Sequence, residues 1–388
     1  MKKDTILANA GRRPEDNHGI VNPPVYHAST VTFPTVAALE AAIRTPFDQV
    51  YYGRFGTPTT FALEEAVAAL EGGDRAISLP SGLGAVTVAL MAFLEAGDHL
   101  LMTDSVYNPT RKLCDGMLRG FGVETTYYDP MIGGGIAELI RPDTRAVFVE
   151  SPGSLGFEVQ DIPAIALAAH ACGAVVIMDN TWSSGLYFNA FGHGVDVSVQ
   201  AATKYIVGHA DAMLGIVTTT HELYKKVKTA AVAIGSCAGP DDCYLGLRGL
   251  RSLSVRLARH QQTALALARW LAERPEVGLV LHPALAGCPG HDLWRRDFTG
   301  ASGLFGVVLK EGYAEQAVAA MLDGLKLYAM GFSWGGFESL ILPLDPARSR
   351  TAAAWPHKGR YLRIHAGLED QDDLISDLEQ GLERLNAF

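Results

Sequence analysis

The chain has 388 residues, with 32 Lys and Arg against 42 Asp and Glu, a net charge of −10. That length exceeds one ordinary core and implies two or three domains at about 150 residues each, and the acidic balance argues against nucleic acid as the main partner. A charged fraction of 19%, below the roughly 25% of average globular chains, implies that part of the surface is covered by self-association.

The five cysteines, Cys114, Cys172, Cys237, Cys243 and Cys288, show no C-x-x-C spacing and are odd in number, which suits a reducing compartment better than a disulfide framework. No apolar stretch follows Met1-Lys2-Lys3-Asp4, so no signal peptide is expected. The longest apolar stretch, 162–178, is broken by Pro163, His170 and Gly173 and reads as helix, turn and strand, not as a membrane span. A cytoplasmic protein without a membrane partner is expected.

In chain order, residues 1–55 carry Pro14, Pro23, Pro24, Pro34 and Pro46 and then the aromatic group Phe47, Tyr51, Tyr52 and Phe55. They read as an extended arm with little core of its own, reaching a neighbouring subunit. From 56 to 250 helical and strand patterns alternate. Helices are expected at 61–70, 85–94, 110–119 and 165–172, and strands at 76–79, 99–102, 123–128, 146–150, 174–178 and 195–199. Short β-rich runs between helices predict an α/β domain whose mostly parallel sheet is sandwiched by helices. From 251 to 388 a long amphipathic helix running to Trp270 opens a smaller α+β domain, with strands at 304–309 and 361–365 and helices at 314–321 and 370–385.

Three segments of the α/β domain could carry chemistry. Pro80-Ser81-Gly82-Leu83-Gly84-Ala85 lies between a strand and a helix, where free N–H groups can cradle a phosphate. The same residues also fit a plain structural turn. They fit a dinucleotide fingerprint too, with Asp104 as its acid, although Thr87 stands where the third glycine belongs. Asp179 ends the apolar run Ala174-Val175-Val176-Ile177-Met178 at a strand's carboxyl end, where ligands gather in open α/β sheets; a helix-capping role also suits it. Lys204, in Thr203-Lys204-Tyr205, could be a solvated surface lysine. Its flanks Ala201, Ala202, Tyr205 and Ile206 would instead desolvate it and favour the neutral amine that a Schiff base needs.

A phosphate cup, a carboxylate and an apolar-flanked lysine at one sheet edge together describe a site for pyridoxal 5′-phosphate. Opposite charges about 4 Å apart at an effective dielectric of about 20 attract by about 4 kcal/mol. That is about 3 pKa units, enough to keep a pyridine nitrogen protonated beside Asp179.

These residues resemble the Cys/Met-metabolism family of pyridoxal-phosphate enzymes, fold type I, over nearly the whole chain. Tyr52-Gly53-Arg54-Phe55-Gly56-Thr57-Pro58-Thr59 resembles its arm motif, and Gln200-Ala201-Ala202-Thr203-Lys204-Tyr205 with Gly208-His209 and Asp211 resembles its Schiff-base segment. Glu150-Ser151-Pro152-Gly153-Ser154 and Ser333-Trp334-Gly335-Gly336-Phe337-Glu338-Ser339 resemble the branch that breaks the Cβ–S bond of L-cystathionine. Members acting at Cγ generally carry a small or aliphatic residue where Trp334 stands.

The resemblance implies that Lys204 forms the Schiff base and moves the Cα proton, that Asp179 pairs with the pyridine nitrogen, and that Tyr107 stacks on its ring. Gly82, Leu83 and Thr203 would hold the phosphate, joined by Tyr52 and Arg54 from a neighbouring subunit. Arg363 would clamp the substrate α-carboxylate, with Ser333 and Trp334 lining the pocket. It further implies a homotetramer of dimers that share sites, and a place in methionine biosynthesis. Ala201 replaces a serine that many relatives use for the phosphate, which shifts weight onto the glycine loop and Arg54. The family's usual Asn-Pro pair is replaced near Leu155-Gly156. A broad cysteine-conjugate lyase or cysteine desulfhydrase, a γ-lyase and, from another class, a nicotinamide oxidoreductase are the alternatives. His209, His260 and His365 read as structural, with no metal-ligand spacing.

Overall fold

The computed structural model describes residues 1–387. The first 55 residues bury only Leu7, Gly11 and Ala42. Two short helices, α1 (Lys3–Asn9) and α2 (Val36–Arg44), stand there among irregular chain. This segment is fastened at Thr59, whose hydroxyl donates to Pro24 O and accepts the Tyr26 N–H, both at 2.8 Å.

Regular alternation begins at α3 (Pro58–Glu71), started by proline in its first turn and by a capping box between Thr57 and Thr60. There follow β1 (Arg75–Leu79), α4 (Gly82–Met91), β2 (His99–Thr103), α5 (Asn108–Leu113), β3 (Glu124–Tyr128) and β4 (Thr144–Glu150). Next come α6 (Ile162–Ala171), β5 (Val175–Asp179), β6 (Val197–Gln200), β7 (Gly215–Thr219) and α7 (His221–Ala233). The strands form one sheet in the order β1-β7-β6-β5-β4-β2-β3. Strands β2 to β6 pair in parallel, and β7 runs antiparallel to both β6 and β1.

The apolar strands are consistent with a sheet covered on both faces, and every residue from Ala146 to Glu150 is buried. Leu100, Phe148 and Ile177 pack with Tyr224 and Val227 of α7, while Val147, Val176 and Met178 pack with Ile162 and Ile165 of α6. Four helices of this domain start earlier than expected. α3 and α6 do so by three residues, at Pro58 and Ile162, each with proline in its first turn. α4 begins three residues early because the Ser81 Oγ accepts the Gly84 N–H at 3.0 Å and so caps it. α5 begins at Asn108 and widens into a π-helical turn over Cys114–Leu118.

Helices α8 (Pro240–Leu250) and α9 (Leu253–Ala272) lead to a second sheet. It contains β8 (Val277–Leu281), β9 (Leu304–Leu309), β10 (Leu340–Leu344) and β11 (Tyr361–His365), antiparallel in the order β10-β11-β9-β8. Helices α10 (His291–Asp297), α11 (Glu315–Asp323) and α12 (Gln371–Asn386) complete the chain. On α9, Leu253, Leu257, His260, Ala264, Leu267 and Leu271 are buried at helical spacing. Leu267 and Leu271 join Phe305, Ile341, Ile364 and Leu378 in the core of this sheet. Along β11 the period of two sends Leu362 and Ile364 into that core, while Tyr361 packs with the larger sheet and Arg363 lines a cavity beside it.

Candidate active site

The carboxyl ends of β4, β5 and β6 deliver Glu150, Asp179 and the loop bearing Lys204 to one cavity of about 380 Å³. Gly82, Leu83, Tyr107, Thr203, Trp334 and Arg363 also line it. Eight of the eleven residues assigned a role from sequence thus line one cavity, and a ninth, Ser333, is hydrogen-bonded to Lys204.

Lys204 follows β6 on a tight loop, with its N–H given to Ala201 O at 3.0 Å and its carbonyl accepting the Gly208 N–H at 2.7 Å. Its Nζ donates to Ser333 Oγ at 2.6 Å and stands 5.2 Å from the Trp334 ring centroid. Burial, and then the Arg363 charge, push the ammonium down from 10.5 to about 8, with Asp179 pulling the other way. Desolvation therefore does what the apolar flanks suggested.

The Ser333–Gly335 turn is fitted to this lysine. Ser333 has φ of 87°, a left-handed conformation that a non-glycine residue holds only where its surroundings impose it. Arg363 Nη2 donates to Ser333 O at 3.1 Å. Gly335 has φ of 88°, and a Cβ there would lie 3.0 Å from the Lys204 backbone. His365 Nε2 accepts the Gly335 N–H at 3.1 Å, so its proton sits on Nδ1 and is given to Glu338 O, also at 3.1 Å. Burial holds this imidazole well below 6.5 and hence neutral. His365 thus pins the turn that places Trp334, a support that its sequence position on a strand did not reveal.

Asp179 accepts the Thr181 N–H at 3.0 Å, the local bond that its capping alternative anticipated. It also lines the cavity, and burial raises its carboxyl, so an adjacent cation would restore its charge. The β4–β5 register sets Glu150 beside it. Burial and then the Asp179 charge hold Glu150 well above the usual carboxylate range. Its Oε2 accepts the Tyr107 N–H at 2.8 Å, making Glu150 a support for Tyr107 that no sequence signal indicated.

The residues fit a phosphate at the start of α4. A Cβ on Gly82 would lie 2.4 Å from the Ala201 Cβ, so only glycine lets this helix end approach the lysine loop so closely. Ala201 fills the contact where a serine hydroxyl would otherwise sit. The Thr203 hydroxyl lines the cavity, but it donates to Leu214 O at 3.1 Å and accepts the Leu214 N–H at 2.8 Å. As the loop stands it has no proton for an anion. The Ser81 hydroxyl, an acceptor in the α4 cap, keeps its proton free to give.

Tyr52 and Arg54 do not line the cavity of their own chain. Tyr52 is exposed, and Arg54 donates to Val232 O at 2.6 Å. Asp104 is committed elsewhere. Its carboxylate pairs with Arg111 and accepts the N–H groups of Thr351, Ala352 and Ala353 at 2.9–3.0 Å. Burial works to raise this carboxyl, and the N–H bonds of Ala353, Thr351 and Ala352 with that of Arg111 outweigh it, holding it below 3.8. A ribose has no place there, which removes the structural basis of the dinucleotide alternative.

Residues 4–383 match the family described as Cys/Met metabolism PLP-dependent enzyme. The chain is 44% identical to the cystathionine beta-lyase of Escherichia coli (strain K12), with 99% of each covered. It is 40% identical to the L-alanine/L-glutamate racemase of Wolbachia pipientis wMel, over 99% of this chain and 98% of the relative. A solved cystathionine gamma synthase from Xanthomonas oryzae pv. oryzae, in complex with aminoacrylate and cysteine, superposes with a TM-score of 0.91 at 32% identity, covering 100% of this chain and 99% of that one.

Proposed function

The chain belongs to the Cys/Met metabolism PLP-dependent enzymes, and on that premise we propose that it is a carbon–sulfur lyase that cleaves L-cystathionine to homocysteine, pyruvate and ammonia. The supporting observation is the Lys204–Ser333–Trp334 corner, a depressed amine held against a tryptophan wall, together with full-length identity to a cystathionine beta-lyase.

Bound pyridoxal 5′-phosphate supplies an electron sink for the pair left when Cα loses its proton. Lys204 and Asp179 would hold its aldehyde carbon and pyridine nitrogen, Tyr107 its ring, and Gly82 and Leu83 its phosphate, with Tyr52 and Arg54 supplied by a second subunit. Arg363 takes the substrate α-carboxylate as a two-pronged ion pair and so orients the Cα–H bond. Neutral Lys204 removes that proton as general base and carries it at Nζ, beside the Ser333 hydroxyl. The Cβ–S bond then breaks, its electron pair leaves on sulfur, and the sulfur gains a proton as homocysteine. The remaining three-carbon enamine is hydrolysed by water to pyruvate and ammonia.

We place the enzyme in methionine biosynthesis in the cytoplasm, as a homotetramer of dimers whose partners complete each other's sites. Measuring kcat/KM for cystathionine, cystine and cysteine tests the substrate assignment. The largest value is expected for cystathionine, and a larger value for cystine or cysteine would make the protein a cysteine-conjugate lyase or desulfhydrase. The relative named as a racemase supports one second reading, in which Lys204 removes and returns the Cα proton of a substrate without a leaving group. Release of D-alanine from L-alanine by the purified enzyme measures it.

A further inference from the structure

We propose that the groove outside the Lys204 cavity is a subsite for a carboxylate on the distal half of the substrate, recognised by Lys112 and Lys358. The inference rests on the lyase reading above and adds the substrate's charge class.

Tyr107, Ser154 and Arg363 line both the cavity and an adjoining groove of about 1010 Å³. With the α-carboxylate at Arg363 and Cα at Lys204, the group attached to sulfur has this groove as its way out. One wall is α5, which carries Lys112, and the other is the strap 345–360 that joins β10 to β11 and carries Lys358.

The strap is locally cationic. It holds Arg348, Arg350, Lys358 and Arg360 against the single acid Asp345, in a chain whose net charge is −10. Arg350 is neutralised in a buried pair with Glu158, and Arg348 by Asp345 at 3.2 Å. Neither Lys112 nor Lys358 pairs with a carboxylate among the described residues. Glu315 and Asp323 of α11 also line the groove, and neither forms an ion pair with Lys112 or Lys358.

One buried group fixes the two walls relative to each other. Asp104 binds Arg111, the residue preceding Lys112, and at the same time accepts three backbone N–H groups of the strap. Two unpaired ammonium groups on walls bolted to a common carboxylate form a preorganised cationic mouth, suited to the carboxylate that L-cystathionine carries on its distal half.

The test uses two substrates of nearly equal shape and opposite distal charge, S-(2-carboxyethyl)-L-cysteine and S-(2-aminoethyl)-L-cysteine, with pyruvate release by the holoenzyme as readout. The wild-type kcat/KM is expected to favour the carboxyethyl compound by about tenfold, since two solvent-screened ammonium groups each contribute a few-fold, and the preference should shrink as salt is raised. In the K112E/K358E protein the ratio should fall to about one or below, with K112A and K358A intermediate. Equal use of the two compounds by the wild type, or an unchanged ratio in the charge-reversed protein, would overturn the proposal. If neither compound nor L-cystathionine releases pyruvate, the lyase reading itself fails, which is a separate and recognisable result.

Discussion

Replacing the catalytic lysine should make the cofactor-free protein more stable. Burial and the Arg363 charge bring Lys204 from 10.5 in the unfolded chain to about 8 in the folded one. At about 1.4 kcal/mol for each tenfold change, the charged amine costs the fold about 3 kcal/mol. Below about 8 both states carry the proton and the whole cost is present. Between about 8 and 10.5 the unfolded chain binds more protons than the folded one, so stability rises with pH, and above 10.5 the cost is gone. Lys204→Met removes the charge and also the 2.6 Å bond to Ser333, which itself contributes about 1 kcal/mol. A net gain of about 2 kcal/mol near neutral pH is therefore expected. Urea unfolding of both cofactor-free proteins across pH measures it, and the difference should close as the wild type gains stability toward alkaline pH. Stability curves that run parallel, with no gain at neutral pH, would refute the desolvated-lysine account. The same depression leaves about one Lys204 amine in ten neutral at pH 7, against about one in three thousand for an ordinary lysine, so cofactor capture should accelerate through about pH 8.

Arg54→Ala is expected to weaken cofactor retention while the fold persists. Mixed with Lys204→Ala, it should recover about a quarter of wild-type activity if subunits exchange statistically; no recovery after verified exchange would argue against shared sites. Gly82→Ala puts a Cβ 2.4 Å from that of Ala201, so equilibrium titration should show cofactor affinity lower by about tenfold or more. An unchanged affinity would remove the phosphate from the start of α4. Asp104→Asn leaves buried Arg111 without its counter-ion and is expected to cost about 3 kcal/mol in urea unfolding. A loss below about 1 kcal/mol would show that the strap is not anchored there.

Most of the site was legible because its signals are local. The apolar run before Asp179 and the apolar flanks of Lys204 each state a burial, and both residues line the cavity. The first turn of α4 was missed because Gly82 and Gly84 are weak helix formers by propensity, a cost that the Ser81 cap helps to offset. β10 was missed because Leu-Ile-Leu-Pro-Leu contains Pro343, tolerated on an edge strand beside β11. β7 follows the lysine loop without an intervening helix, so the alternation that identified its neighbours does not extend to it. The supports from His365 and Glu150 arise from contacts 30 and 43 residues away in the chain, to Gly335 and Tyr107, which no periodicity encodes.

The identity of the keto acid released from L-cystathionine by the purified holoenzyme is the most direct measurement of what this site does. Pyruvate with homocysteine is the expected result, with Lys204 working beside the Trp334 wall. Release of 2-oxobutyrate with cysteine would contradict the β-elimination account and move the reaction to Cγ.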